Sequence, residues 1–239
     1  QRLEAMAGDY NSYSLGAISS GPVNDTVLYR LAAQRYRSDG YQQNDFLHQN
    51  DSSDRDEKTL RARLRWLPST VHTVDIDLNW IDIDNGYDVF SLDNTRHTLS
   101  DEPGVDQQQS TALSLQTNSD FALLQLQTTV SYAHTDSDYG YDEDWTFVGF
   151  HPDGYSASDL YQRSRDSVSA ELRLLSNEQS TLFGGRSGWV AGFYYLGNDE
   201  DLDRRYTYAA DFDSSYNTDS YALFAEMTSQ LSEHLQLIT

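Results

Sequence analysis

Strict alternation of apolar and polar side chains is the feature that most constrains this chain. In His72–Asp82, the residues Val74, Ile76, Leu78 and Trp80 fall on every second position, with aspartate or asparagine between most of them. Successive side chains of a strand point to opposite faces, so this period of two predicts strands with one apolar and one polar face. The same pattern recurs in Thr59–Leu67, Leu123–His134 and Ser167–Leu175.

Further strands are predicted on both sides of these segments. They lie at Arg2–Ala7, Tyr10–Ser20, Thr26–Arg37, Gln107–Thr117, Ser187–Leu196 and Thr218–Ser229, with a last one beginning near Gln236. The total is about eleven strands, and no segment has a convincing helical period. No run of about 18 apolar residues predicts a transmembrane helix. The pattern therefore predicts an all-β, antiparallel fold.

The length of the strands and the asymmetry of their connections favour a sheet that spans a membrane. Several segments exceed the usual five or six residues of globular strands and reach the roughly 9–11 residues that cross a bilayer. Short turns are predicted at Gly21–Asp25, Pro68–Val71, Asn118–Asp120, Asn177–Gln179 and Ser232–Glu233. Long polar stretches alternate with them at Ser38–Asp56, Asp84–Asp106, Thr135–Leu160 and Gly197–Asn217. Short periplasmic turns and long extracellular loops are typical of outer-membrane barrels.

Aromatic residues near the predicted strand ends fit the same interpretation. They are Tyr36, Trp66, Trp80, Tyr132, Trp189, Tyr194 and Tyr195. Such residues form girdles at the two membrane interfaces of a barrel. The alternative is that they form ordinary cross-strand aromatic pairs in a soluble sheet.

Composition excludes several classes of function. The 239 residues contain 16 Lys and Arg against 38 Asp and Glu, a formal charge of −22. A chain this acidic lacks the basic surface that supplies most nucleic-acid affinity, so we expect no nucleic-acid partner. It has no cysteine, which excludes disulfides and thiolate chemistry. The polar mean hydropathy of −0.68 is compatible with a membrane barrel, because lumen-facing residues are polar.

Several strings, in this order along the chain, resemble the barrel of TonB-dependent receptors. Individually they are unspecific, but together they extend over nearly the whole sequence. They are Gly8–Tyr13, Ser20–Thr26 followed by Tyr29–Ala33, Asp39–Tyr41, Leu64–Ser69, Glu171–Ser176, Gly188–Tyr195 and Ser220–Glu226. The iron–siderophore branch is the most similar.

This resemblance implies an antiparallel transmembrane β-barrel segment, with about 10–11 strands of a 22-stranded barrel. Residues 1–239 are then expected to be the N-terminal half of the barrel domain, a fragment without the plug and the C-terminal strands. The implied function is active transport across the bacterial outer membrane of a scarce ligand, a ferric siderophore, energised through TonB. The implied partners are outer-membrane lipid, the TonB complex through the plug, and the iron chelate. No cofactor is expected.

The stretch Thr135–Gly154 contains the candidate ligand-binding residues. These are Tyr139, Tyr141, Trp145 and His151, whose rings could contact a planar iron chelate. Carboxylates lie among them at Asp136, Asp138, Asp142, Glu143 and Asp144, and carboxylates can bind a hard cation such as calcium. Their spacing does not fit an EF-hand, and the six histidines lack metal-ligand spacing, so we expect no metal site. The alternative is a solvated acidic loop.

No catalytic motif is recognisable, so we expect no catalytic residues and no enzyme. There is no Gly-rich phosphate loop, no nucleophile elbow and no HExxH sequence. The alternative function is a soluble all-β binding protein or a carboxylate-based hydrolase. The two hypotheses differ in where the apolar strand residues point. A soluble protein buries Leu60, Leu64, Val74, Ile76, Leu124, Leu126, Leu172 and Leu174 in a core, whereas a membrane barrel exposes them as a belt.

Overall fold

The computed structural model describes residues 1–239 and consists of strands and connections without a helix. No helix that is long and apolar enough to cross a membrane is present. The strands are β1 (Arg2–Ala7), β2 (Tyr13–Asn24), β3 (Val27–Ser38), β4 (Gln43–Asn44), β5 (Arg55–Ser69), β6 (His72–Tyr87), β7 (His97–Thr98), β8 (Gly104–Asp120), β9 (Leu124–Asp142), β10 (Ser158–Ser176), β11 (Ser187–Tyr206), β12 (Phe212–Ser232) and β13 (Leu235–Ile238).

Eleven of these strands form one antiparallel sheet in sequence order. The order is β1-β2-β3-β5-β6-β8-β9-β10-β11-β12-β13, so each strand pairs with the next long strand along the chain. The short strands β4 and β7 pair in parallel and form a separate sheet within the loops. Since β1 and β13 do not pair with each other, the large sheet is open and has two unpaired edges. The predicted all-β class and strand number are confirmed.

Strand register keeps the apolar residues on one face across the sheet. Leu64 of β5 lies opposite Ile76 of β6, and Ile76 lies opposite Leu115 of β8. Leu115 in turn lies opposite Val130 of β9. Directly opposed residues of neighbouring strands share a face, so these four side chains form one row. Parallel rows above and below extend this row into an apolar belt.

The apolar belt is exposed, because the structure has no hydrophobic core. Of 239 residues only 17 are buried, and Ala157 is the one apolar residue among them. Leu60, Leu64 and Leu172 are 37%, 39% and 40% exposed. A soluble sheet would cover these side chains with a second layer. None of the eight residues that distinguish the two hypotheses is buried, and four of them are exposed: Leu60, Leu64, Ile76 and Leu172.

The opposite face of the sheet is polar and carries paired charges. The arginine row of β5 pairs with aspartates of β6: Arg65 Nε donates to Asp75 at 2.7 Å and Arg63 Nε donates to Asp77 at 2.5 Å. Farther along the sheet, the hydroxyls of Ser131 and Ser169 form a hydrogen bond of 2.7 Å. A polar face opposite an exposed apolar belt is the arrangement of a barrel wall between lumen and lipid.

The strands continue well beyond the apolar belt, farther than the sequence predicts. β11 and β12 have 20 and 21 residues, and their pairing extends from Ser187↔Ser229 to Arg204↔Phe212. The predicted long connection at residues 197–217 is therefore mostly strand, and only residues 207–211 connect β11 to β12. The predicted short turn after β10 is longer, at residues 177–186. Backbone pairing needs no apolar side chains outside lipid, so a polar sequence can continue the ladder.

The remaining connections confirm the predicted asymmetry. At one end of the sheet the strands are joined by residues 25–26, 70–71, 121–123 and 233–234. At the opposite end lie the three long loops, residues 39–54, 88–103 and 143–157, and two connections of five residues, 8–12 and 207–211. We call this end of the sheet the loop end.

Substitution of Leu115 by lysine should destabilise the protein much more than the same change at Ser114. Leu115 lies in the apolar belt and is 43% exposed, whereas Ser114 lies on the polar face. A lysine on the lipid face of a barrel costs about 2–4 kcal/mol near the middle of the bilayer. The measurement is urea unfolding of the full-length protein in lipid vesicles. Equal losses for Leu115→Lys and Ser114→Lys would contradict a lipid-facing belt.

Candidate functional site

The first two long loops are joined through the buried carboxylate of Asp88, which is 4% exposed. Its Oδ2 accepts hydrogen bonds from Asn44 Nδ2 at 2.8 Å and from Thr98 Oγ1 at 2.7 Å. Its backbone C=O accepts a hydrogen bond from Ser53 Oγ at 2.9 Å. Asn44 and Thr98 also belong to the parallel β4–β7 pair. The two loops therefore pack together as one unit.

The third long loop packs against the other two. The carboxylate of Asp101 accepts hydrogen bonds from the backbone N–H of Val148 at 3.0 Å and from Ser156 Oγ at 3.3 Å. Phe46 of the first loop stacks on Phe147 of the third, with ring centroids 4.4 Å apart and planes 6° apart. The three loops form one packed structure over the loop end, which we call the loop cap.

The acidic residues of the third loop act mainly as acceptors for its own turn. Asp142 Oδ1 accepts hydrogen bonds from the N–H groups of Asp144 at 3.1 Å and Trp145 at 3.0 Å. Asp144 accepts from Thr146 Oγ1 at 2.7 Å and, with its other oxygen, from the N–H of Ala157 at 2.7 Å. No group of three or more histidine, aspartate or glutamate side chains is arranged to hold a metal ion. The geometry does not favour the cation-binding interpretation of this loop.

Three of the four candidate ligand residues come together at the loop end. Tyr139 and Tyr141 occupy alternate positions of β9 on the polar face, with ring centroids 5.9 Å apart. Phe90 joins them to the third loop, because its ring is 5.8 Å from Tyr141 and stacks on Trp145 at 5.1 Å. Two more rings lie beside Tyr139: Tyr87 at 5.1 Å and Tyr161 at 6.4 Å. These six residues are the inner aromatic cluster: Tyr87, Phe90, Tyr139, Tyr141, Trp145 and Tyr161.

His151 does not belong to the inner aromatic cluster. Its ring stacks on Tyr155 at 4.9 Å and makes an edge contact with Phe150 at 5.3 Å. Further contacts run from Tyr155 to Tyr208 at 6.5 Å and from Tyr208 to Tyr206 at 5.9 Å. His151 therefore lies in a second group of rings, with Phe150, Tyr155, Tyr206 and Tyr208.

An arginine joins the two groups of rings. The guanidinium carbon of Arg204 lies 5.0 Å from the ring centre of Tyr161 and 5.3 Å from that of Tyr206. Arg204 also donates two hydrogen bonds to Asp159, from Nε at 2.9 Å and from Nη2 at 2.6 Å. These hydrogen bonds lower the pKa of Asp159 and raise the pKa of Arg204. The result is a neutralised ion pair with an aromatic surface on either side.

The sequence did not single out Arg204, Tyr87, Phe90 or Tyr161. Arg204 lay in a stretch predicted to be a loop, so its place on the polar face of a strand was not visible. Arg204 lies next to Tyr161 because the two residues are paired across β10 and β11. The predicted strands did not extend to these two positions. Extending the alternation of β10 and β11 past the apolar belt is the signal that could have located it.

The stability of the loop cap should fall as pH rises from about 4 to about 6. Burial raises the pKa of Asp142, which is 5% exposed, to about 6 from 3.8. Between these pH values the folded loop binds the proton more tightly than the unfolded loop, so rising pH destabilises it, by up to about 3 kcal/mol. Above pH 6 the stability of the loop cap should no longer change with pH through this group.

Hydrogen exchange of the Asp144 and Trp145 amides, corrected for intrinsic exchange, measures this effect. Asp142→Asn should remove the pH dependence of this protection and slow the exchange of these amides at pH 7.5. The neighbouring change Glu143→Gln removes the same charge from an exposed side chain and should leave the pH dependence intact. An unchanged pH dependence in Asp142→Asn would contradict the assignment.

Comparison with known proteins supports the fold at low sequence identity. No family model matches the sequence. Among solved structures, FpvA of P. aeruginosa bound to heterologous pyoverdines matches with a TM-score of 0.72 at 14% identity, over 99% of this chain and 35% of that one. The copper transporter OprC matches with a TM-score of 0.68 at 14% identity, over 99% and 35%.

A third match is the ferric yersiniabactin uptake receptor FyuA from Yersinia pestis, with a TM-score of 0.56 at 10% identity over 99% of this chain and 45% of that one. This chain thus spans 35% to 45% of the length of these structures. The predicted resemblance and fold class are confirmed at the level of the fold. The chain has the fold of part of the barrel of a TonB-dependent outer-membrane receptor.

Proposed function

We propose that this chain forms part of the wall and loops of a bacterial outer-membrane receptor that actively transports a ferric siderophore with energy from TonB. The observation that carries the proposal is the exposed apolar belt on one face of an eleven-stranded sheet that has no core. In water such a face would be covered, whereas lipid solvates it. Structural neighbours that are uptake receptors and transporters support the same conclusion.

The two unpaired edges of the sheet support a larger barrel. Unpaired backbone groups cost several kcal/mol each in lipid, so a membrane barrel must close. We infer that residues 1–239 are part of a barrel domain and that other strands of the same protein close it. The plug and the contact with TonB would then belong to the rest of that protein. This fits the 35% to 45% share of the neighbours' length.

The inner aromatic cluster is the proposed ligand contact. Tyr139 and Tyr141 present rings on the polar face at the loop end, and Trp145 of the third loop joins them through Phe90, where a ligand from outside would enter the lumen. Flat rings suit a planar ligand through stacking. His151, in the second group of rings, is proposed as a separate contact with the ligand. FpvA and FyuA are described with pyoverdines and ferric yersiniabactin, which supports an iron chelate as the ligand.

We infer that the chain has no catalytic role. Two carboxylates beside the inner aromatic cluster already have partners: Asp144 accepts hydrogen bonds within its turn and Asp159 pairs with Arg204. The structural neighbours are transport receptors and not enzymes.

Iron uptake in cells that lack the parent gene tests the proposal. Deletion should impair growth under iron restriction and abolish uptake of radiolabelled iron from the cognate siderophore, and inactivation of TonB should have the same effect. Tyr139→Ala in the full-length receptor should weaken siderophore binding about five-fold, since one ring contact contributes about 1 kcal/mol.

Tyr221→Ala is the matched control, because Tyr221 lies on the apolar face and is 69% exposed. Its siderophore affinity should match that of the unmodified receptor. Uptake that continues without TonB, or a protein that fractionates with the soluble material without detergent, would contradict the proposal.

A further inference from the structure

A cavity of about 460 Å³ opens on the polar face beside the inner aromatic cluster. Four tyrosines line it: Tyr10, Tyr36, Tyr41 and Tyr87. Tyr87 also contacts Tyr139, so the cavity adjoins the proposed ligand contact. Its volume lies within the range of small-molecule sites, about 300–1,000 Å³.

The wall of the cavity is rigidly held. A Cβ added to Gly86, which lines the cavity, would lie 2.5 Å from the backbone oxygen of Ser52. The N–H of Gly86 donates to the backbone oxygen of Asp54 at 3.1 Å. Gly40 approaches Ser53 just as closely, and its φ of +79° is in the left-handed region that glycine adopts without strain. The first long loop is thus fixed against β6, and the cavity is preformed.

Two opposite charges line the cavity without neutralising each other. Arg55 and Asp106 make no ion pair and no side-chain hydrogen bond, although both belong to the lining. Charges on the other face at the same height are paired: Arg35 Nη2 lies 2.7 Å from Asp56, and Lys58 Nζ lies 2.9 Å from Asp82. An unpaired acid and an unpaired base facing one cavity complement a ligand that carries both charges.

Strand pairing sets the separation of these two charges. Asn85 of β6 lies opposite Asp106 of β8, and the Asn85 side chain accepts a hydrogen bond from the N–H of Asp56, next to Arg55. Arg55 and Asp106 thus lie on either side of β6. Two strand spacings amount to about 10 Å between their backbones. This leaves room for a ligand group between the guanidinium and the carboxylate.

We propose that this cavity binds a zwitterionic, peptide-like part of the transported ligand. The ligand's ammonium group pairs with Asp106, its carboxylate pairs with Arg55, and its peptide planes and side chain lie against the tyrosine rings. Arg suits the carboxylate because its planar fork matches the two oxygens, and aromatic faces attract the cation. The inference rests on the proposed function, which it extends by naming the ligand's chemical class.

The experiment uses four forms of glycyl-tryptophan: the free zwitterion, the N-acetylated anion, the amidated cation and the doubly blocked neutral form. Saturation-transfer NMR on the full-length receptor in detergent measures the four dissociation constants. The zwitterion should bind at least ten-fold more tightly than the neutral form, with the two singly charged forms between. Equal affinities, or no binding of any form, would overturn the proposal.

Variants assign each charge to its partner. Asp106→Asn should remove the gain in affinity that a free ammonium group gives the dipeptide. Arg55→Gln should remove the gain in affinity that a free carboxylate gives it. The matched controls are Asp84→Asn and Arg37→Gln, which change the same charges on the opposite face and should keep the order of affinities. The assignment of Asp106 to the ammonium group and Arg55 to the carboxylate would be overturned by either of two results. One is that the controls lose the order of dipeptide affinities, and the other is that Asp106→Asn and Arg55→Gln keep it.

Iron uptake distinguishes failure of this inference from failure of the proposed function. TonB-dependent uptake with no charge preference among the dipeptides would overturn the cavity assignment alone. A charge-ordered affinity series in a receptor that takes up no iron would overturn the transport proposal alone. The amount of each variant in the outer membrane shows that it folds.

Discussion

Backbone hydrogen bonding between neighbouring strands is the interaction on which the rest of this structure depends. Of 159 backbone hydrogen bonds, 134 lie within the strand ladders, while the structure buries a single apolar residue, Ala157. A soluble domain of this size is stabilised mainly by its core. Here each strand is held by hydrogen bonds to its neighbours, and β1 and β13 each keep one edge without such a partner.

The same ladder places the candidate ligand residues. Because the strands continue past the apolar belt, the period of two carries over from the belt to the loop end. Tyr139, Tyr161 and Arg204 share the polar face because β9, β10 and β11 remain in register there. The loops then close over this wall through Asp88 and through the stacked pair of Phe46 and Phe147. A regular scaffold thus positions irregular loops, as in many binding proteins.

How far the sequence predicts the structure depends on whether the features are local. The alternation around Ile76 predicted the strand and its apolar face, because one residue in two reports directly on a face. The exposure of that face was predicted from the strand lengths and the asymmetric connections. Residues 197–217 were predicted as a loop because both faces of that stretch are polar, and polarity alone does not separate a strand in water from a loop.

The candidate site was predicted in part for a related reason. Tyr139, Tyr141 and Trp145 are close in sequence and meet in space, but the residues that complete the cluster come from other strands. Phe90 reaches it through the second loop, and the Asp88–Asn44 hydrogen bond joins residues 44 positions apart. His151 lies near Trp145 in sequence yet stacks on Tyr155 and has no ring contact with the inner aromatic cluster. Contacts between residues this far apart in the chain leave no periodic pattern in the sequence.

The most direct test of a wall between lipid and lumen is a cysteine scan along β8 in the full-length receptor, which is simplified because residues 1–239 contain no cysteine. Spin labels at positions 112 to 116 in lipid vesicles would report their accessibility to oxygen and to a polar nickel complex. A lipid-facing belt predicts alternation: oxygen reaches Leu113 and Leu115, and the nickel complex reaches Ala112, Ser114 and Gln116. Nickel accessibility at all five positions would contradict a membrane-spanning wall.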